Sequence, residues 1–263
     1  MTMTSRGKEP DIQTLPFHTD EGIGTMARLG MIILQSDQTI EHEAAALIHD
    51  KNFSHEVGLY HTRIPNEMEI TEDTLEDMAA ALPESAALMP SSFGFDAIGY
   101  GCTSGATIIG EARVDKLIRS VHPNAKTTNP ITACKAALRA LDITSLALIT
   151  PYAISVTKSM QDNLQADGFT VKAVATFNQT DDFTVARITS NSLYEAVMAI
   201  GNRDDCEAVF ISCTSLRALP IIAKAEDALN KPVLSSNQVF IWHLMRLAGL
   251  TTCPEGAGRL FEK

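Results

Sequence analysis

Two stretches of this sequence repeat one another, and together they predict the fold. Residues 96–104 read DAIGYGCTS, and residues 207–215, which begin 111 positions later, read EAVFISCTS. In both stretches an acidic residue opens a short apolar run, and the run ends at Cys-Thr-Ser. Short apolar runs of this kind are typical of buried parallel strands, and the polar residues after them mark the point where the next element begins.

The same alternation extends outward from both stretches. Apolar runs predict strands at residues 29–34, 57–64, 95–100 and 125–129, and again at 146–150, 169–175, 208–211 and 231–237. Amphipathic patterns predict helices at residues 39–48, 71–82, 131–141, 156–167, 192–201, 216–230 and 239–250. Strand and helix alternate, which is the pattern of the α/β class.

The repeat therefore predicts an α/β fold of two similar four-stranded parallel-sheet halves, related by a pseudo-twofold axis. We expect the active site in the cleft between the halves, because ligands bind at the carboxyl ends of parallel strands. Residues 1–25 are expected to form an N-terminal arm. Residues 26–124, with the C-terminal region 238–263, are expected to form the first half, and residues 125–237 the second.

Composition excludes several classes of partner. The chain has 263 residues, with 21 Lys and Arg against 32 Asp and Glu, and a formal net charge of −11. This balance lacks the positive patch that nucleic acids and anionic membranes require. No apolar run reaches the length of a membrane span, and the opening residues lack the apolar core of a signal peptide. The expected partners are small molecules and copies of the chain itself, in a reducing cytoplasm.

The five cysteines fall into two groups. They are scattered and odd in number, with no CxxC pair, so neither a disulfide framework nor a zinc site is expected. Burial in the core is the ordinary fate of a free cysteine. The matched Cys-Thr-Ser context nevertheless singles out Cys102 and Cys213 as a facing pair of acid/base groups. A helix N-terminus after each one is expected to lower the thiol pKa. We expect no role for Cys134, Cys206 and Cys253.

Short motifs in order along the chain resemble the aspartate/glutamate racemase superfamily, and within it the branch of maleate isomerases and arylmalonate decarboxylases. They are GCTSG at 101–105, TPY at 150–152, SCT at 212–214 and LSSNQ at 234–238, followed by Trp242. The resemblance spans residues 28–250. It implies an enzyme that uses no metal, pyridoxal phosphate or nucleotide.

The resemblance also implies the chemistry of the two cysteines. In the racemases they act as opposed base and acid on the α-carbon. In the maleate isomerases the first attacks the double bond, and the second supplies and removes a proton. The decarboxylases keep only the second and have glycine at the first position. Because both Cys102 and Cys213 are present, racemisation or isomerisation is favoured over decarboxylation.

One position differs from the maleate isomerases, and the difference affects which substrate is expected. Asp37 stands where maleate isomerases carry an Asn that donates to a substrate carboxylate. An ionised Asp there would repel a second carboxylate by a few kcal/mol at an effective dielectric near 20. Asp37 therefore favours a substrate with an amino or amide nitrogen, and it resembles the acidic residue of racemases and of racemase-like proteins of ectoine utilisation. In the racemases this residue lies close to the substrate ammonium and helps to manage the thiol proton, so the resemblance implies a catalytic role for Asp37 beside Cys102 and Cys213. Asp37 is equally suited to capping the helix that follows.

The remaining candidates are substrate-binding residues. Thr103, Ser104 and Thr214 offer hydroxyl groups and backbone N–H groups to a carboxylate. The resemblance adds Tyr152, at a carboxylate-binding position, and Asn178, which ends the following strand.

These features predict a cofactor-independent isomerase, with a racemase or epimerase acting beside a carboxylate of a small amino- or amide-bearing acid as the main hypothesis. The alternatives are maleate cis-trans isomerisation, arylmalonate-type decarboxylation and a non-catalytic protein that binds small acids.

Overall fold

The computed structural model describes residues 12–48 and 56–263. The first four strands are β1 Ala27–Leu34, β2 Val57–Ile64, β3 Ala97–Gly101 and β4 Lys126–Thr128. The second four are β5 Ser145–Tyr152, β6 Thr170–Gln179, β7 Ala208–Ile211 and β8 Val233–Ser235. Each group forms its own sheet, and every strand pair is parallel.

The two sheets share one topology. Their strand orders are β2-β1-β3-β4 and β6-β5-β7-β8, so each strand of the first sheet has its counterpart four strands later. The Cys-Thr-Ser segments follow equivalent strands, β3 and β7, each of which pairs with the central strand of its sheet. The expected fold, two four-stranded parallel α/β halves, is confirmed.

Helices cover both faces of the sheets. They are α1 Ile40–Ile48, α2 Glu72–Ala87, α3 Thr103–Ile109, α4 Glu111–Arg119 and α5 Pro130–Ala140, then α6 Ile154–Ala166, α7 Asp182–Val185, α8 Ser190–Gly201, α9 Ile222–Leu229 and α10 Ser236–Leu247. Seven of the eight residues of β1 are buried, which explains its nearly unbroken apolar sequence. None of the helices in the described part of the chain has the length and apolar character to cross a membrane.

Local sequence accounts for several helix ends. Thr71 begins α2 through a capping box with Thr74, in which each side chain bonds the other residue's backbone N–H. The helix expected over residues 216–230 is shorter than its pattern suggested. A 3₁₀ turn, Leu219–Ile221, contains Pro220, and the α-helix begins only at Ile222.

Helix α10 lies across the division between the halves. Helix α10 follows the last strand of the second sheet, yet it packs on β3 and β4 of the first and against α5. Gly99 of β3 makes this possible, because a Cβ there would lie 2.2 Å from the Phe240 ring. The expectation that the C-terminal helix region joins the first half agrees with this packing.

The boundary expected at residue 125 needs a correction. Strand β4 lies just beyond that boundary, but it pairs with β3 and so belongs to the first sheet. The reason is the parallel fold itself, in which α3 and α4 return the chain to the edge of the same sheet. Residues 12–23 of the expected arm form no helix or strand, and residues 1–11 lie outside the described residues.

Candidate active site

The ends of β3, β5 and β7 meet at a single cleft between the halves. Cys102, Cys213 and Tyr152 all line it. The cleft is narrow, with a cavity volume of about 20 Å³, and it is partly open to solvent. The two sheets thus bring the repeated cysteines together from opposite sides, in the arrangement that the repeat predicted.

Cys102 occupies the N-cap of α3. Its Sγ accepts a hydrogen bond of 3.3 Å from the backbone N–H of Gly105, and the Ser104 hydroxyl lies 3.7 Å away. Both groups favour a negative charge on the sulfur.

Cys213 has a different backbone setting. Its φ is 125°, which is rare for a residue other than glycine, and its N–H donates to Ser236 Oγ at 2.9 Å. No long helix starts here, since α9 begins nine residues later. Backbone strain of this kind persists only where the surroundings impose it, and it often occurs at functional sites.

The expectation that both thiol pKa values would be lowered is wrong. Burial raises the pKa of Cys102 to about 11, although the Gly105 N–H and the Ser104 hydroxyl oppose the change. Burial also raises the pKa of Cys213, and the charge of Asp182 adds to it. In both places desolvation of the thiolate outweighs the favourable hydrogen bonds. Both sulfurs are therefore thiols at neutral pH.

The predicted carboxylate-binding hydroxyls mostly have protein partners. Thr103 Oγ1 lies 2.7 Å from Ser236 Oγ, and Thr214 donates to the Gly101 carbonyl at 3.3 Å. These bonds tie the two thiol-bearing turns together across the halves. The hydrogen bonds of the described residues leave the backbone N–H groups of Thr103, Ser104 and Thr214 without an acceptor.

Tyr152 ends β5 and is fully buried beside both sulfurs. Burial raises its pKa, and the neighbouring Cys213 and Cys102 raise it further. Its hydroxyl lowers the pKa of Cys213, as a hydrogen bond to the thiolate would. The structure thus places Tyr152 next to both cysteine sulfurs.

Asp37 and Asn178 do not line this cleft. Asp37 Oδ1 accepts the backbone N–H groups of Thr39 and Ile40, both at 2.8 Å, and so caps α1. Its Oδ2 is buried without a hydrogen-bond partner, and burial raises the pKa of the carboxyl. Asn178 is exposed at the end of β6, with a φ of 52°.

A carboxylate that the sequence analysis missed does line the cleft. Asp182 is buried, and it accepts hydrogen bonds from the hydroxyls of Ser36 and Ser215, the latter at 2.9 Å. Its backbone N–H donates to the Met68 carbonyl at 3.1 Å, within a short antiparallel contact in which Glu69 pairs with Asp181. We call residues 67–70 the strap, because they reach from the first half to the second.

Comparison with known proteins places this geometry in a family. Residues 29–261 match the sequence model of the arylmalonate decarboxylase family. The chain belongs to this family. It is 25% identical over 245 residues to a maleate isomerase of Alcaligenes faecalis, with 89% of this chain and 96% of that protein covered. It is 30% identical over 138 residues to the arylmalonate decarboxylase of Bordetella bronchiseptica, with 52% and 58% covered.

Solved structures agree on the fold. A maleate cis-trans isomerase mutant of Nocardia farcinica, with a covalently bound succinylcysteine intermediate, superposes with a TM-score of 0.83. The identity is 23%, and the match covers 89% of this chain and 98% of the other. The predicted resemblance to the maleate isomerase and arylmalonate decarboxylase branch is confirmed, as is the prediction of an enzyme of the isomerase class.

Within this arylmalonate decarboxylase family fold, the other three cysteines lie away from the cleft. Cys134 and Cys206 are buried, and burial raises both thiol pKa values. Cys253 is exposed, so burial in the core, the ordinary fate of a free cysteine, applies only to the first two. Among residues 12–48 and 56–263, no group of three or more His, Cys, Asp or Glu side chains is arranged to hold a metal ion.

A sequence signal for Asp182 did exist. Asp181 and Asp182 follow the end of β6, and the carboxyl end of a parallel strand is where binding residues collect. Asn178, four residues before Asp182 in the same segment, was instead predicted from the resemblance to the family.

Proposed function

We propose that this protein is a thiol-dependent cis-trans isomerase of a small cis-unsaturated carboxylic acid of the maleate type. The observation that carries the proposal is that Cys102 and Cys213 line one cleft from opposite sides. The curated relatives matched over 89% of the chain include maleate isomerases, and the Nocardia farcinica neighbour holds a succinylcysteine.

The different hydrogen bonding of the two sulfurs supports distinct roles. The Gly105 N–H and the Ser104 hydroxyl donate toward the Cys102 sulfur and favour its thiolate. Cys102 is therefore suited to act as the nucleophile, and Cys213, whose thiol pKa is raised by burial and by the charge of Asp182, keeps the proton that the substrate carbon takes. Tyr152 stabilises the Cys213 thiolate that forms when the proton leaves.

The reaction follows from these roles. Cys102 first releases its thiol proton to water, and the thiolate then forms a C–S bond to one alkene carbon while the adjacent carbon takes the proton of Cys213. The double bond becomes a single bond, and rotation about it converts the cis geometry to trans. Cys213 then removes a proton from the same carbon, the C–S bond breaks, and the Cys102 thiolate and the trans acid are released. No atom or electron is gained or lost overall.

Backbone N–H groups are suited to hold the substrate carboxylate. Thr103 and Ser104 begin α3, where the positive end of the helix dipole and free N–H groups favour an anion. The Thr214 N–H approaches from the other half. The roles predicted for these three residues and for Tyr152 are part of this proposal.

A racemase or epimerase is the second candidate, and Asp182 is the observation that favours it. A buried carboxylate in the cleft suits an acid that carries an amino nitrogen. One cysteine would then remove the α-proton, and the other would deliver a proton to the opposite face.

The experiment is incubation with maleate in deuterated water, followed by proton NMR. We expect fumarate to form, with deuterium at an alkene carbon. Cys102→Ser and Cys213→Ser should each reduce turnover by roughly 10³-fold, within the usual contribution of acid/base groups. Cys253→Ser, on the exposed surface, is the control and should retain wild-type turnover.

Three other results would contradict the cis-trans isomerase proposal and support a different function. Deuterium exchange at a saturated α-carbon of an amino acid, without maleate turnover, would establish the racemase. Release of carbon dioxide from a substituted malonate, with only Cys213 essential, would establish decarboxylation. If both cysteines tolerate replacement while a small acid still raises the melting temperature, the protein is a binding protein.

A further inference from the structure

The charged side chains that line the cleft, among the described residues, are all acidic. Glu67, Glu69 and Asp182 line it, and no Lys, Arg or His does among the described residues. The two glutamates are exposed on the strap, where water screens their charge. Asp182 is only 4% exposed, so its charge acts at close range inside the cleft.

Asp182 has hydroxyl donors but no cation. Ser36 and Ser215 each donate to one of its oxygens, and Ser36 is itself oriented by Asn66, whose Nδ2 donates to it at 2.9 Å. No ion pair of the described residues includes Asp182. Its charge raises the pKa of both Cys102 and Cys213, which shows that it lies within electrostatic reach of both sulfurs.

The fold does not need Asp182 as a helix cap. The N-cap of α7 is Asp181, whose Oδ2 accepts the Thr184 N–H at 2.7 Å. The Asp182 side chain is turned instead to the cleft, between the end of β1 and the Cys213 turn. Each carboxylate oxygen can accept more than one hydrogen bond, so Asp182 offers an acceptor and a negative charge to a donor group of the substrate.

We propose that Asp182 selects an acid whose far end carries a hydrogen-bond-donating nitrogen in place of a second carboxylate. This inference rests on the proposed isomerisation and names its substrate class: a cis-unsaturated monocarboxylic acid with an amide or ammonium group, of which the half-amide of maleic acid is the simplest. The carboxylate lies at the N-terminus of α3, and the nitrogen donates to Asp182.

The size of the selection follows from charge repulsion. Two like charges about 6 Å apart at an effective dielectric near 20 repel enough to reduce binding by roughly 100-fold. A diacid suffers this repulsion, whereas an amide replaces it with a hydrogen bond. The wild type should therefore prefer the half-amide by roughly 100-fold in kcat/KM.

The test compares the two acids on three proteins. Proton NMR of the alkene signals gives kcat/KM for maleate and for its half-amide with the wild type, Asp182→Asn and Glu69→Gln. Asp182→Asn keeps the size of the side chain and an acceptor oxygen, and it should shift the preference toward maleate by roughly 100-fold. Glu69→Gln removes an exposed charge from the same cleft and should change the preference by less than about threefold.

A binding measurement separates this inference from the isomerase proposal. Succinate and its half-amide cannot be isomerised, so calorimetry with them reports selection alone. Tighter binding of the half-amide to the wild type, lost in Asp182→Asn, supports the role of Asp182 even if no alkene is turned over, and that lack of turnover would overturn only the isomerase. Equal or tighter binding of succinate, or a preference unchanged in Asp182→Asn, would overturn the inference and leave the isomerase standing.

Discussion

The backbone N–H of Cys213 donates to the hydroxyl of Ser236, which lies 2.7 Å from the Thr103 hydroxyl of the opposite half. One small side chain at the start of α10 therefore holds both thiol-bearing turns. The φ of 125° at Cys213 makes this bond more important, because the backbone there has little intrinsic preference for its conformation.

Replacing this hydroxyl tests its role. Ser236→Ala leaves the buried Cys213 N–H without an acceptor, which should destabilise the fold by about 1–3 kcal/mol. Turnover should fall more than stability explains, because the Cys213 sulfur is no longer fixed. Urea unfolding and kcat measure the two effects. Ser120→Ala, on the exposed end of α4, is the control and should change neither the free energy of unfolding nor kcat. A fully active Ser236→Ala would show that the hydrogen bond to the Cys213 N–H does not position the Cys213 sulfur.

The raised thiol pKa values predict slow alkylation at neutral pH. With a pKa of about 11, only about 10⁻⁴ of Cys102 is thiolate at pH 7. In a Cys253→Ser background, alkylation by iodoacetamide should quicken about tenfold per pH unit from pH 7 to 10. Asp182→Asn should speed the reaction of both cleft cysteines, because one cause of their raised pKa is removed. Peptide mass mapping identifies the sites, and fast, pH-independent labelling of Cys102 would contradict this account.

Tyr152→Phe removes the hydroxyl that stabilises the Cys213 thiolate. Loss of a single buried donor to a developing negative charge typically costs 10²–10³-fold, so kcat should fall by roughly 10²-fold. Alkylation of Cys213 should slow in parallel, since its pKa rises further. Tyr194→Phe is the matched control, because that ring is only half-buried and lies outside the cleft. An unchanged kcat in Tyr152→Phe would remove this residue from the mechanism.

Glu43 predicts how stability varies with pH. This residue of α1 accepts the Leu219 N–H and the Asn237 side-chain amide, both at 2.9 Å, and burial raises its pKa from 4.5 to about 7. Between these pH values the unfolded chain releases a proton that the folded chain keeps. Stability therefore falls as pH rises through this range, by about 3 kcal/mol in all, and the cost stays constant above pH 7.

Glu43→Gln should abolish that dependence. Urea unfolding at pH 5, 6, 7 and 8 should show the variant gaining about 2–3 kcal/mol relative to the wild type across the range, whatever its absolute stability. Glu84→Gln, an exposed position on α2, should follow the wild type at every pH. Parallel curves for Glu43→Gln and the wild type would mean that Glu43 is ionised in the folded state.

The sequence predicted the elements better than the environment of the site. Strand pairing follows from apolar runs such as residues 57–64 and 208–211, and the repeated Cys-Thr-Ser segments locate the cleft because equivalent strands end there. Desolvation at Cys102 and Cys213 could not be predicted, since it depends on helices from both halves that close over the sulfurs. The start of a helix does supply the expected hydrogen bonds to the Cys102 sulfur. The thiol pKa is nevertheless raised rather than lowered, because desolvation outweighs them.

Asp37 and Asp182 also show that sequence patterns do not predict how a side chain is oriented in the folded protein. Asp37 satisfied both a capping pattern and a motif position, but its orientation is set by the N–H groups of Thr39 and Ile40, which hold one of its oxygens at the start of α1. Asp182 carries no motif, and only the strap and the Ser36 and Ser215 hydroxyls bring it to the cleft. Tertiary contacts decide that Asp182 lines the cleft and Asp37 does not, and the position of Asp182 after a parallel strand was the one indication in the sequence.

Because α10 packs on the first sheet, both halves of the chain depend on this last helix. Phe240 covers Gly99 of β3, so a fragment that ends after β8 would leave an apolar face of the first sheet open to water. The same fragment would lose the hydroxyl of Ser236, which fixes the second cysteine. The two halves are interlocked rather than merely adjacent, and neither carries a complete core or a working thiol pair without the final helix.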